Sequence, residues 1–249
     1  MLFRSLLLPL KRLVPTLSVE KLLQRVANAR TPKQLTHAMN RLQNRLWKHP
    51  EQAQKGLKQR EIQTLSRIVT DAIDADMRIE AARWLRLFVQ SGQTTQPADI
   101  FATLVMATRQ AAEQGSTGEQ SVYLSMIFEC FWPFRYPYAI FTWQDFPPNE
   151  LFYPLAPLIK QNNVAICEAL FAIFSELPTL DDADIADHLL PIALIWATHS
   201  DPEYRRSVTN ILARINLPAA QETFCRLQND PDPLVYTSAN RAAAYVQRV

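Results

Sequence analysis

The 249-residue chain is 48% hydrophobic and 20% charged, with 17 prolines and only four glycines. So little glycine excludes glycine-rich phosphate loops and tight two-residue hairpins, and proline stops between Leu- and Ala-rich runs indicate an all-α protein. The three cysteines are an odd number without C-x-x-C spacing, which argues against a disulfide framework and for a reducing, cytoplasmic location.

The net charge of +2 conceals a difference between the two ends of the chain. Residues 1–70 carry 14 Lys or Arg and three acids, a balance of +11, whereas residues 71–249 carry 12 against 21, a balance of −9. A basic end of this strength favours an acidic partner, nucleic acid, an anionic membrane or the acidic part of a second copy as its ligand.

Residues 1–17 are a basic amphipathic N-terminal segment without an acidic residue. Pro9 interrupts its apolar core, which is too short for a signal peptide, and no later stretch reaches the roughly 18 uncharged apolar residues of a membrane span. We therefore expect no transmembrane segment. Two interpretations stay open: a surface anchor or docking segment, and a half-helix that covers the open end of a helical stack.

Residues 18–131 are predicted to form N-terminal helical repeats. Ser18 is placed to cap a first helix that ends near Ala29, and Thr31-Pro32-Lys33-Gln34 has the layout of a capping box that starts a second helix. The second helix has an apolar inward face and a basic outward face. The predicted anion-binding residues are Arg25, Lys33, Arg41, Arg45 and Lys48.

Residues 132–153 form an aromatic and proline-rich connection in which nine of 22 residues are aromatic and four are proline. The prolines prevent a long helix, and this much aromatic surface is not expected in a solvated loop. The stretch is either an irregular connection packed into the core or part of a partner-binding groove. The candidate binding residues of that groove are Trp132, Arg135, Tyr138, Trp143 and Asp145.

Residues 154–249 contain one helical pattern twice. DPEYRRSVTNILARI begins at Asp201 and DPLVYTSANRAAAYV begins at Asp232, an offset of 31 positions. Each has an Asp-Pro turn followed by apolar residues at helical spacing. MRIEAARWLRLF, from Met77, repeats the pattern with Arg78 and Leu85 in the places of Arg205 and Leu212.

An Asp-bearing turn, an apolar-Arg pair, a small apolar residue three positions later and Leu four positions after that resembles the second helix of HEAT-type repeats. The resemblance implies an armadillo-type α-solenoid, with the turn Asp and the Arg supporting the stacking of units. PLAPLIKQNNVAICEALFAIF is a degenerate copy with Ala165 at the Arg position, and Tyr236 takes that position in the last copy. We expect one continuous all-α, right-handed superhelical stack of HEAT-like hairpins, with about ten to twelve helices.

Three functions are compatible with this sequence. The first is a non-enzymatic scaffold or adaptor for a protein partner, because the chain lacks known catalytic motifs and metal-ligand spacing. The second is nucleic-acid binding through the basic third. The third is a HEAT-like enzyme resembling alkylpurine DNA glycosylases or bilin lyases, for which no catalytic residue can be assigned. We expect no cofactor and no metal.

Overall fold

The computed structural model of the protein describes residues 17–48, 57–91, 97–131, 149–161, 163–177 and 187–246. These residues form helices and turns, without a strand among them, so the prediction of an all-α protein is confirmed. The helices are α1 (Val19–Ala27), α2 (Pro32–Lys48), α3 (Leu57–Asp71), α4 (Ala75–Gln90), α5 (Pro97–Glu113), α6 (Thr117–Cys130), α7 (Asn149–Leu155), a 3-10 helix (Ala156–Gln161), α8 (Val164–Glu176), α9 (Leu190–Ala197), α10 (Pro202–Ser207), α11 (Thr209–Arg214), α12 (Pro218–Leu227) and α13 (Pro233–Val246).

Short polar side chains start the first two helices as predicted. The Ser18 hydroxyl accepts a hydrogen bond from the Lys21 backbone N–H at 3.3 Å. The Thr31 hydroxyl accepts one from the backbone N–H of Gln34 at 3.2 Å, and the Gln34 side chain accepts one from the preceding turn. These contacts satisfy backbone donors that have no partner within the helix.

The Asp residues of the repeated pattern also begin helices. Asp74, Asp201 and Asp232 each accept a hydrogen bond from the backbone N–H two positions later, at 3.0, 2.9 and 2.9 Å. Asn163 has the same role at the start of α8, where its side chain accepts from the Ile166 N–H at 3.2 Å. Positions in the repeated helices can therefore be matched by counting from these capping residues.

The segment after Asp201 differs from the single helix that the sequence predicts. It divides into α10 and α11 at Val208. On either side of this residue, the hydroxyls of Ser207 and Thr209 donate to the carbonyls of Tyr204 and Arg206 at 2.8 and 2.9 Å. Such local bonds compete with the helical backbone pattern and bend a helix.

The helices pack as consecutive pairs. α1 contacts α2, α3 contacts α4, α5 contacts α6, the 3-10 helix contacts α8, α9 contacts α10 and α11, and α12 contacts α13. Contacts also join alternate helices, from α1 to α3, α5 and α7 in one row and from α2 through α4, α6, α8 and α10–α11 to α13 in the other. The described helices therefore lie in two layers with the core between them.

Residues that match between the repeated segments are buried in that core. Ala81 and Leu85 of α4, and Val208 and Leu212 of the divided helix, have no exposed surface. Burial of one Leu side chain stabilises a fold by about 1.5–3 kcal/mol. The helical spacing of apolar residues thus identified the inward faces correctly.

Only the end of the aromatic connection belongs to the described residues. Its last five residues, from Asn149 to Tyr153, lie in α7. Phe152 is fully buried and contacts the Phe174 ring edge-on at a centroid distance of 5.0 Å, whereas Tyr153 is 50% exposed. These two neighbouring rings therefore lie in different environments: Phe152 packs in the core, and Tyr153 is partly exposed at the surface.

Candidate functional site

The two predicted sets of site residues have different outcomes. The aromatic set lies outside the described residues and stays a prediction; it comprises Trp132, Arg135, Tyr138, Trp143 and Asp145. The basic set lies on the first two helices, with Arg25 on α1 and the other four residues on α2.

A groove of about 480 Å³ between α1 and α2 brings two of the predicted anion-binding residues together. Arg25 lies on its α1 wall and Arg41 on its α2 wall, and Lys21 adds a third cation one helical turn before Arg25. The remaining lining residues are Leu17, Gln24, Asn28, Ala29, Gln34, His37 and Ala38.

The walls of this groove are regular because each is one stripe of a helix. The positions from α1 are spaced by three and four residues, and so are those from α2, which places each set on one face. The adjoining stripe of each helix is apolar and buried, with Leu22 and Val26 on α1 and Leu35 and Leu42 on α2. The packing of these two stripes holds the two polar walls side by side.

The charged residues that line the groove in the described part of the chain are all positive. Among the described residues that line it, none is acidic. Within the described part of the chain, Lys21, Arg25 and Arg41 form no ion pair with a carboxylate. All three side chains are exposed. Three uncompensated cations on two facing walls raise the local concentration of anionic ligands.

The other three predicted anion-binding residues do not line the groove. Lys33 is exposed in the first turn of α2, Arg45 is half-buried further along the helix, and Lys48 is exposed at its last position. Lys48 stands seven residues beyond Arg41, on the same side of α2. The set predicted from charge alone is therefore divided between the groove and its surroundings.

A second groove, of about 460 Å³, lies between α1 and α3. Its cations are Arg60 and Arg67 on α3, and Glu20 on α1 is its acidic residue. Helix α1 is therefore a ridge with a basic groove on each side. The groove between α1 and α2 is the more uniformly cationic of the two.

Lys58, another cation of the basic N-terminal part, has an internal partner. Its ammonium forms an ion pair with a carboxylate oxygen of Glu61 at 3.0 Å and lies 4.2 Å from the centre of the Phe88 ring. Gln43 donates to the other Glu61 oxygen at 3.0 Å. Glu61 is fully buried, and this burial raises the pKa of its carboxyl although Lys58 opposes the shift.

Arg78 braces two neighbouring helix pairs. Its Nε and Nη2 donate to the two carboxylate oxygens of Glu119 on α6, at 3.0 and 2.7 Å. Its Nη1 donates to the carbonyls of Ala72 and Ile73, just beyond the end of α3, at 2.7 and 2.9 Å. The Arg78 hydrogen bonds hold the pKa of Glu119 below its usual value. One guanidinium thus joins the turn before its own helix to the following helix pair.

Arg205 repeats the same arrangement in the C-terminal part. Its Nε and Nη2 donate to Asp230 at 2.8 and 2.9 Å, and its Nη1 donates to the carbonyls of His199 and Ser200, both at 2.8 Å. In both braces the carbonyls come from six and five positions before the arginine. The Arg205 hydrogen bonds likewise lower the pKa of Asp230. The two arginines, which match in the repeated sequence pattern, therefore make the same set of contacts.

Two other copies lack this arginine. Counted from the capping residue, the equivalent position is Cys167 in α8, rather than Ala165 as the sequence alignment suggested, and Tyr236 in α13. The Cys167 thiol is buried and donates to the Ile159 carbonyl at 3.3 Å, and burial raises its pKa to about 12. Tyr236 is 52% exposed. At α8 the brace is therefore replaced by apolar packing, by the weak Cys167–Ile159 contact and by a partly exposed ion pair between Glu168 and Arg206 of α10.

The sequence revealed the arginines of the braces but not their carboxylates. Glu119 lies 41 positions after Arg78, and Asp230 lies 25 positions after Arg205, so no fixed spacing identifies the pair. The signal that could have found Asp230 is its place at an Asp-Pro-Asp-Pro turn, where acidic side chains cap backbone donors.

The part of the chain that the structure describes contains no group of three or more His, Cys, Asp or Glu residues placed to hold a metal ion. In the same part of the chain, no helix has the length and apolar character needed to cross a membrane. Comparisons with models of protein families and with curated proteins find no match to this chain.

Proposed function

We propose that the chain is a non-enzymatic protein-interaction module of the HEAT-repeat type that binds its partner through the groove between α1 and α2. The observation that carries the binding site is the set of unpaired cations, Lys21, Arg25 and Arg41, on two facing helix walls. A stable fold does not need three exposed cations in one groove, because like charges repel one another. An acidic partner relieves that repulsion.

The HEAT-like architecture is supported by two independent features. The paired helices in two layers are what stacked helical hairpins require. The braces of Arg78 and Arg205 join each turn to the following unit through the same set of atoms. A right-handed superhelix is the arrangement that we propose for the whole chain.

The composition of the groove favours a protein over nucleic acid as the ligand. Sequence-tolerant binding of single strands uses aromatic side chains on which bases stack. Among the described lining residues of this groove there is no Phe, Tyr or Trp. Its polar residues other than the cations are Gln24, Asn28, Gln34 and His37, which suit the mixed polar surface of a protein.

The test is recovery of partners from a nuclease-treated extract. The full chain is compared with a double variant of the groove, Arg25→Glu/Arg41→Glu, and with a matched variant, Arg109→Glu/Arg241→Glu, whose residues are exposed on α5 and α13. We expect the matched variant to recover the same proteins as the unaltered chain and the groove variant to lose them. Identical recovery by all three proteins would contradict the proposed binding site.

A further inference from the structure

We infer that the segment bound in the groove is an amphipathic helix with one acidic and one apolar stripe. This inference rests on the proposed function, because it names the chemistry of the partner at the same groove. It is carried by three features of the lining: the spacing of the cations, the small apolar residues in the same groove, and the side-chain amides at both walls.

The spacing of the cations matches a helix. Lys21 and Arg25 lie one turn apart on α1, which places them about 6 Å apart along the helix axis. Two carboxylates at positions i and i+4 of a ligand helix have the same separation, so both pairs form in one orientation. Arg41 on the opposite wall reaches the ligand from its other side.

The apolar part of the lining is small. Ala38 lies on the α2 wall, Ala29 lies in the turn that joins α1 to α2, and Leu17 stands at the end from which α1 starts. Ala38 is only 5% exposed, so it is part of the surface on which a ligand would rest rather than a projecting contact. Because interaxial distance depends on the side chains at the contact, two alanines let a ligand helix approach closely.

The apolar residues also distinguish this ligand from a general polyanion. Contact with Leu17 and Ala29, which are both half-buried, removes apolar surface from water, a gain that a purely charged chain does not obtain. The bound segment therefore needs apolar residues three and four positions apart beside its carboxylates. At the polar margin Gln24 can then accept or donate hydrogen bonds, and Gln34, whose Oε1 already accepts from the Arg30 N–H, can donate through its side-chain NH2.

The experiment uses the full chain and four fluorescent probes. The first is a synthetic helical peptide with Glu residues at i and i+4 and Leu residues on the adjoining stripe. The second replaces its Glu residues with Gln, the third replaces its Leu residues with Ser, and the fourth is a single-stranded oligonucleotide of equal or greater negative charge. Affinities are measured by fluorescence anisotropy at physiological salt.

We expect the first peptide to bind with a micromolar dissociation constant, and each altered peptide to bind at least roughly tenfold more weakly. The variant Arg25→Glu/Arg41→Glu should lose binding of the first peptide, whereas Arg109→Glu/Arg241→Glu should retain it. The groove variant Ala38→Glu, on the α2 wall, should also lose it; its circular dichroism and melting temperature show whether it stays folded.

Four results would overturn the inference. Equal binding of the Leu and Ser peptides would mean that charge alone selects the ligand. Tighter binding of the oligonucleotide, lost in the groove variant, would assign the groove to nucleic acid. If the unaltered chain and the matched variant self-associate and the groove variant does not, the ligand of the groove would be a second copy of the chain. Absence of peptide binding, with partner recovery still dependent on Arg25 and Arg41, would reject the helix and leave the proposed function in place.

Discussion

Substitution of Arg205 tests whether the repeated brace holds neighbouring helix pairs together. The variant Arg205→Ala removes two hydrogen bonds to Asp230 and two to backbone carbonyls. The Arg205 and Asp230 side chains are only 14% and 8% exposed, so removal of the arginine leaves a largely buried carboxylate without its partner. Breaking a buried pair in this way destabilises proteins by about 3–5 kcal/mol.

The expected loss for Arg205→Ala is about 3 kcal/mol in the free energy of unfolding, at the lower end because a little solvent reaches the pair. The variant Arg205→Lys keeps the charge but has no planar fork, so it should recover less than half of that loss. Arg206→Ala is the matched control: Arg206 is adjacent and pairs with Glu168, but both side chains are over one-third exposed. Its expected loss is about 0–1 kcal/mol.

The assay is equilibrium unfolding in urea, followed by circular dichroism and by hydrogen exchange in α13. Hydrogen exchange is needed because repeat proteins can unfold in parts, and α13 lies beyond the brace. Loss of protection in α13 before the N-terminal helices is the expected pattern for Arg205→Ala. If Arg205→Ala and Arg206→Ala have equal effects on stability and exchange, the brace does not support the stacking.

Three other substitutions test buried or largely buried side chains of the fold. Leu212→Asp places a charge at a fully buried position and should destabilise the chain by more than about 4 kcal/mol, whereas Leu234→Asp, at a position that is 63% exposed, should change its melting temperature little. The pKa of Asp230 is lowered in the folded chain, so its contribution to stability is complete above the unfolded value of 3.8 and is lost as the pH falls through the lower folded value. An Asp230→Asn variant should therefore differ in stability from the unaltered chain at pH 7 and much less in acid, as measured by chemical denaturation. Glu61 has the opposite sign: its raised pKa gives stability that is complete below the unfolded value of 4.5 and is lost as the pH rises through the folded value. Stability of Glu61→Gln relative to the unaltered chain should therefore increase from pH 4 to pH 7, and a decrease would mean that Lys58 outweighs burial.

The sequence predicted the helices well because their signals are local. Helical spacing identified Leu85 and Leu212 as buried, and short polar residues such as Ser18 and Thr31 marked helix starts, since a cap acts on the backbone within three residues. The sequence did not predict the break in the helix at Val208, because the break depends on the backbone carbonyls to which the hydroxyls of Ser207 and Thr209 donate.

The candidate site was less predictable because it depends on contacts between helices. Charge indicated a basic surface, but it did not separate Arg41, which lines the groove, from Lys58, whose ammonium contacts the core. The partners of Arg78 and Arg205 were missed for the same reason, because they come from the next helix pair. Pairing across elements has no fixed sequence separation, so only the fold reveals it.

Chemical cross-linking most directly tests the claim that the partner occupies the groove between α1 and α2. An amine-reactive reagent is applied to the full chain with the proteins recovered from the nuclease-treated extract, and mass spectrometry identifies the linked lysines. Lys21 lines the groove and Lys33 and Lys48 flank it on α2, whereas the exposed Lys160 lies on the 3-10 helix after α7. We predict links to the partner from Lys21, Lys33 and Lys48, and loss of these links in Arg25→Glu/Arg41→Glu. Links concentrated at Lys160, unchanged by that substitution, would contradict binding in the groove.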